Sequence, residues 1–344
     1  MNRPVLANER IVTIKFGVLL DHQFPPGDDL SAHLRSLIHV TETAEALGYD
    51  AVFGIHHFLA GLQTPQPFQL LARLIPHSGN MLLGTAIYVA TLTHPVQIAE
   101  EVATLDQLSE GRFVFGVGAG YRPEEFGSFG IEHASRGRRL VEALEVIRGL
   151  WQEGGYSHDG EFFQIDNQRS SVRPAQPTGP PIWIGANVER TVRRAAHIGD
   201  AWLASPNVKQ RWAAGHLDMF REEQLAAGRS LDGPAPIARE IYLADDDETA
   251  RAEVDPYLRA EYHEYAAYDL EYFDTMYDDL MGKAFLVGSP TTVARRIQEL
   301  IDVGFDFFLF RVFWSGMPYD MSIRTLERFT AEVLPRLTER MPLP

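Results

Sequence analysis

Short runs of β-branched and aromatic residues alternate along this chain with longer stretches in which apolar residues return every three or four positions. The short runs suit strands and the longer ones helices, and their alternation predicts parallel strands joined by crossover helices. Eight runs read as strands: 14–20, 49–55, 81–89, 112–120, 181–186, 200–205, 239–244 and 305–312. Between them, 30–47, 95–108, 133–151, 189–197 and 291–303 read as helices packed outside the sheet. Eight such units predict an α/β fold of the (β/α)8 TIM-barrel kind, one domain over residues 1–344. Strands that are apolar almost throughout, such as FDFFLF at 305–310, suit burial on both faces.

Punctuation supports the helices. Pro95 follows His94 where a first turn begins, and Gly111, Gly199 and Gly304 stand where helix ends favour left-handed backbone. Two connections exceed a plain barrel: 154–180, after the strand-four region, and 245–283, after strand seven. Loops at the carboxyl ends of barrel strands surround the active site, so the second insertion is expected over the mouth as a lid. Residues 245–280 carry 13 acidic residues against two arginines, and Tyr262, Tyr265, Tyr268 and Tyr272 share one helical face. A solvated helix docked by its aromatic stripe accounts for the same pattern.

Composition narrows the function. A formal charge of −16 argues against nucleic acid and anionic membranes, which are held by clustered Lys and Arg. With no cysteine there are no disulfides, thiolate metal sites or cysteine nucleophiles, which fits a cytoplasmic setting. The beginning of the chain lacks a signal-peptide core, and no apolar run approaches the ~18 residues of a membrane span.

Three motifs offer chemistry. GVGAG at 116–120 ends a strand, but Tyr121 occupies the sixth position where the dinucleotide fingerprint needs glycine, so the small residues read as room for backbone or a flat ligand. His56 and His57 end the second strand; neighbours point to opposite faces, which disfavours shared metal ligation and leaves either as an acid–base or hydrogen-bonding group, or as a structural histidine. In IGANVERT, 184–191, small residues including Ala186 precede Asn187 as an expected N-cap, so helix N–H groups, Thr191 and Arg190, Arg193 and Arg194 suit a phosphate, though an ordinary capped helix explains the segment equally. No nucleophile elbow, Walker loop or zincin motif occurs. Asp106 and Arg112 read as a local ion pair.

KFGVLL at 15–20, GYDAVFGIHHF at 48–58, GTAIYVATLTHP at 84–95, AEEVATLDQLSEGRFVFGVGAGYRPEEFGSFG at 99–130 and LVGSPTTVARRIQELIDVGFDFF at 286–308 together resemble the bacterial-luciferase-like superfamily of flavin-dependent monooxygenases and reductases. The resemblance implies a flavin at the barrel mouth. By position it places a non-prolyl cis peptide against the ring at Thr85–Ala86, the flavin phosphate at Asn187, Val188 and Thr191, flavin contacts at Gly118, Ala119 and Tyr121, and catalysis at His56 with His57 beside it. Ile55 stands where a Glu commonly precedes the histidines, and Ala119 where a basic residue can grip the phosphate, which passes that task to the strand-five turn and Arg122. VATLTHP lacks the Asn-Pro stretch and Arg of deazaflavin users. The implied function is an FMN-dependent monooxygenase fed reduced FMN by a flavin reductase and using oxygen on a small organic substrate. A deazaflavin-dependent reductase and a non-catalytic flavin- or partner-binding subunit are the alternatives, and a homodimer is implied by the family. Arg311, ending strand eight, is an internal cation for an anionic substrate group or a salt-bridge partner of the acidic lid.

Overall fold

The computed structural model describes residues 13–266 and 271–337, the side chains of 264–276 excepted. Strands β1 (Lys15–Leu20), β2 (Ala51–Gly54), β3 (Leu82–Thr85), β4 (Phe113–Gly118), β5 (Ile182–Gly185), β6 (Ala201–Leu203), β7 (Pro236–Leu243) and β8 (Phe307–Arg311) form a curled parallel sheet in the order β7-β8-β1-β2-β3-β4-β5-β6. At its far end, the Ala204 N–H donates to the Pro236 carbonyl at 3.1 Å and the Ala204 carbonyl accepts from the Ala238 N–H at 2.8 Å. Two short strands extend it: Tyr88–Val89 pairs with β4, and Leu286–Gly288 with β7.

Alternation of side chains divides the burial. Leu19, Phe53, Val114, Trp183, Leu203, Phe307 and Leu309 fill the concave interior, while Val18, Val52, Phe115 and Phe308 pack beneath the helices. Trp183 stacks on Phe53 with ring centres 5.4 Å apart and meets Phe307 edge-on at 5.0 Å. Each such side chain contributes about 1.5–3 kcal/mol on burial.

The periodic segments appear as the helices Leu30–Ala46, Pro95–Leu108, Arg136–Trp151, Glu189–Ile198 and Pro290–Asp302, with a 3-10 turn at His133–Ser135 before the third. Strand β7 starts at Pro236, ahead of the expected 239. Arg239 lies inside it, buried, and its Nη1 donates to the Ser205 and Ala238 carbonyls, each at 3.1 Å. Gly111 and Gly304 adopt positive φ of 77° and 114°. Gly199 does not, its φ being −118°; a Cβ there would come within 2.3 Å of Ile184 Cγ1, so close packing explains that glycine.

The first long connection holds an antiparallel hairpin, Tyr156–Asp159 with Gln164–Gln168, between Arg136–Trp151 and β5. The second follows β7 as the helices Asp247–Ala266 and Glu271–Lys283. Tyr262 and Tyr277 are buried in the core, whereas Tyr265, Tyr268 and Tyr272 lie outside the described side chains. The expected Asp106–Arg112 ion pair is replaced: Asp106 accepts from the Gln176 N–H at 2.9 Å and its side chain at 2.8 Å, and Arg112 donates to the Met81 carbonyl at 2.6 Å. Among the described residues no helix is long and apolar enough to cross a membrane.

Candidate functional site

The carboxyl ends of β2 to β5 surround a bulge. After Thr85 the Ala86–Ile87 peptide is cis, one bond later than the expected Thr85–Ala86. Thr85 donates its hydroxyl to the Gly116 carbonyl at 2.7 Å. A Cβ on Gly116 would lie 1.8 Å from the Thr85 carbonyl oxygen, so only glycine admits the bulge. Ile87 leans over two more glycines: Cβ atoms on Gly118 and Gly185 would meet it at 2.6 and 2.9 Å. The glycine run of β4 thus receives backbone, and the result is a shallow apolar floor on which Ala86 and Ile87 stay partly exposed. Around it, the Ala119 carbonyl accepts from Thr91 at 2.9 Å and the Ala186 carbonyl from the Trp202 indole at 2.8 Å.

The two histidines part company, as neighbours on an extended chain do. The Val89 N–H donates to His56 Nδ1 at 3.0 Å, which fixes that nitrogen as the acceptor, and Nε2 faces Gln66 Oε1 at 2.9 Å as donor. The ring is buried and stacked on Tyr88 at 4.2 Å. Burial lowers its pKa to about 4, the Gln66 hydrogen bond opposing in part, so His56 is neutral with both nitrogens committed. His57 is partly exposed; its Nδ1 faces Glu125 Oε1 at 3.2 Å, its ring meets Tyr121 edge-on at 5.7 Å, and no protein group among the described residues engages Nε2.

Glu125, which sequence reading passed over, lies in the short helix Pro123–Ser128 and is buried. Its Oε1 also accepts from the Phe58 N–H at 2.9 Å, with Arg122 Nη1 at 3.7 Å, while Oε2 is buried without a partner among the described residues. Burial raises its pKa, but hydrogen bonds from His57 and Phe58 and the charges of His57 and Arg122 outweigh it, holding the carboxyl below its ordinary value. An ionised Glu125 obliges His57 Nδ1 to carry a proton and presents Nε2 to whatever occupies the site.

Beyond β5, the helix Glu189–Ile198 has Val188 as its N-cap, at φ −122° and ψ 151°, instead of the expected Asn187, which is exposed one residue earlier. The Thr191 hydroxyl closes the turn by donating to the Val188 carbonyl at 2.8 Å and accepting its N–H at 3.3 Å. The Thr191 and Val192 N–H groups donate to the Val188 carbonyl at 2.8 and 3.0 Å, which leaves those of Glu189 and Arg190 without an intrahelical acceptor. Arg193 is drawn away to Glu189 and Glu223, at 2.9 and 2.5 Å. Arg194 is lowered in pKa by burial and by the charges of Arg190 and Arg136, and no carboxylate pairs with Arg190 or Arg194 among the described residues. A helix start facing crowded guanidinium groups fits an anion.

Arg311 takes the second of its two expected roles. It is buried with Nε 3.0 Å from Asp21 Oδ2, Nη1 3.2 Å from Glu240 Oε1 and Nη2 2.5 Å from Glu261 Oε1, the last on the helix Asp247–Ala266. The insertion after β7 is therefore clasped to the inside of the sheet at its carboxyl end.

Similarity to known proteins agrees with this geometry. The profile of the luciferase-like monooxygenase family matches residues 14–306. The oxygenase component of a flavin-dependent trigonelline monooxygenase from Acinetobacter baylyi is 26% identical, over 88% of this chain and 89% of its own. An F420-dependent glucose-6-phosphate dehydrogenase from Intrasporangium calvum is also 26% identical, over 88% of this chain and 95% of its own. Among solved structures, the oxygenating constituent of 3,6-diketocamphane monooxygenase from Pseudomonas putida, in complex with FMN, superposes with a TM-score of 0.77 at 20% identity, covering 95% of this chain and 100% of the other.

Proposed function

Because the chain belongs to the luciferase-like monooxygenase family, we propose that it is a flavin-dependent monooxygenase: it receives reduced FMN from a separate flavin reductase and uses molecular oxygen to oxidise a small organic substrate. In this reading the chain is one (β/α)8 barrel, closed at Ala204, with a lid at 245–283, and it works as a homodimer. The observation that carries the reading is the pairing of a glycine-built floor under Ala86 and Ile87 with an anion-ready helix start about Asn187, Val188 and Thr191. A flat ring system with a phosphate tail matches both parts, the ring over Ala86, Gly118, Ala119 and Tyr121 and the phosphate toward Arg190 and Arg194. The oxygenase-component relative supports a reductase partner.

A bound flavin supplies the electrons that the side chains lack. The chain's part is to hold, orient and protonate. His57, oriented by Glu125, presents Nε2 as the acid–base atom, while His56 fixes the loop through Gln66 and Val89. The apolar floor keeps water from the ring. A deazaflavin-dependent dehydrogenase is the second reading, favoured by the F420-dependent relative of similar identity.

Anaerobic titration of the purified protein with reduced FMN and, in parallel, the reduced deazaflavin coenzyme decides between them. The expected result is tight binding of reduced FMN and rapid oxygen consumption on mixing with air. Binding of the deazaflavin alone would move the dehydrogenase to first place.

A further inference from the structure

A single amide touches both histidines at the end of β2. Gln66 stands at the N-cap of the helix Pro67–Leu74, where a cap side chain ordinarily accepts from the N–H groups of the first turn. Its side chain makes no such bond, and Pro67 at the first helical position has no N–H to satisfy. The amide is turned the other way, with Oε1 2.9 Å from His56 Nε2 and Nε2 donating to the His57 carbonyl at 3.2 Å. A cavity of about 200 Å³ opens beside it, lined also by Phe58, Phe68, Tyr88 and Thr93. Gln66 is only half-buried, so hydrogen bonds and not close packing hold its amide.

The sense of each bond is dictated from outside. The Val89 N–H occupies His56 Nδ1, so His56 Nε2 carries the proton and needs an acceptor. The Gln66 oxygen meets it, and the NH2 group is left for the His57 carbonyl. An amide supplies acceptor and donor at once, where a carboxylate or an ammonium fails one of the two.

That carbonyl belongs to the same peptide unit as the Phe58 N–H, which donates to Glu125 Oε1 at 2.9 Å. In a trans peptide the two groups point opposite ways, so Gln66 and Glu125 grip the unit from both sides. Glu125 Oε1 also faces His57 Nδ1 at 3.2 Å. One oxygen that serves two donors is a pivot about which ring and peptide swing together, and the grip on the carbonyl stops the swing.

We propose that Gln66 is a positioning residue for His57: its amide, set by His56 against Val89, holds the His57–Phe58 peptide so that the ring stays on Glu125 and Nε2 stays presented to the site. The role rests on reading His57 as the acid–base group of a flavin reaction. No bond is made or broken at Gln66, which acts only through His57. The sequence of contacts Val89–His56–Gln66–His57 also ties the acid–base atom to the segment that follows the Ala86–Ile87 floor.

The test is heteronuclear NMR of the histidine ring nitrogens at mildly alkaline pH in the protein without flavin, joined to the rate of oxygen consumption by the same samples loaded with reduced FMN. The His57 signal is identified by its loss in His57→Gln. In the wild type His57 is expected to keep its proton on Nδ1. Gln66→Met matches the length without donor or acceptor; it is expected to mix in the Nε2–H form and to slow oxygen consumption on the order of tenfold, with reduced-FMN affinity unchanged. Gln66→Asn keeps the amide but draws it back by one methylene, so the same changes are expected, and it stands in should Gln66→Met fail to fold. Gln69→Met, at an exposed position of the same helix, is expected to change neither. Wild-type tautomer and rate in the Gln66 variants overturn the proposal even where the melting temperature falls, and a shifted tautomer at an unchanged rate removes the positioning role. A wild-type ring with its proton on Nε2 overturns it as well. A wild type that binds no reduced FMN sinks the flavin reading instead, and the tautomer alone then decides whether Gln66 orients His57.

Discussion

The β2–β5 half of the sheet's carboxyl end and the β7–β8–β1 half rest on the same apolar interior, yet one is made of missing side chains and the other of crowded charged ones. In the first, Gly116, Gly118 and Gly185 withhold Cβ atoms so that a backbone bulge and Ile87 fit, and partly exposed surface remains. In the second, Asp21, Glu240 and Arg311 fill the space together with Glu261 from the helix Asp247–Ala266. At its glycine floor the first half is shaped by sterics, indifferent to pH, and the second by charge balance.

The largest expected effect tests the charged half. Arg311→Met leaves three buried carboxylates without their cation and is expected to cost about 3–5 kcal/mol at neutral pH in urea unfolding. The loss should shrink in acid as the carboxylates protonate; the same loss at both pH values would erase the distinction. On the steric half, Gly116→Ala forces a Cβ toward the Thr85 carbonyl and is expected to cost about 3 kcal/mol, at the upper end of ordinary overpacking. Here the cost should not change with pH, and flavin affinity should fall with it.

Glu125→Gln comes next, because it removes a charged acceptor from His57 and the Phe58 N–H, an expected loss of about 2 kcal/mol with reduced turnover. The folded-state pKa of Glu125 lies below its ordinary value, so its contribution is present above the unfolded pKa and is lost as pH falls through the folded one. Wild type and variant should therefore converge in acid. The smallest effect per pH unit is a slope. Burial holds His22 and His56 at about 3 and about 4, so below 6.5 the unfolded chain binds protons that the folded one refuses. Stability should decline with falling pH there by at most about 1.4 kcal/mol per pH unit for each histidine, and His56→Gln should flatten the curve; an unchanged curve would show that His56 titrates normally.

What could be read in advance follows the range of the physics involved. Strand and helix positions are set by local periodicity, and the Pro95–Leu108 helix appears with the bounds that its proline and apolar spacing predict. The glycine run at 116–120 was legible as close approach, though what approaches is β3. Long-range pairings left no such signature. Asp21 and Arg311 are separated by 290 positions, and His57 and Glu125 by 68. Glu240 hid inside an apolar strand, and Glu261 among acids of the 245–283 connection such as Asp246, Glu248 and Glu253 that are solvated. Arg311 had two roles open because one sequence position cannot say how many carboxylates the fold will bring to it. Asn187 and Val188 differ by one residue as N-cap because the turn is clasped by Thr191 and not by an asparagine side chain.

The two backbone hydrogen bonds at Ala204 have a mechanical side. Every neighbouring pair from β7 round to β6 is laced by two or more aligned residues, but Ala204 meets β7 in a single bridge. Cloth under tension parts along its thinnest seam, and this one runs alongside β7, the strand that leads into the helices Asp247–Ala266 and Glu271–Lys283. Stretching the sheet between β6 and β7 therefore loads the root of those helices before it disturbs the glycine floor on the opposite side.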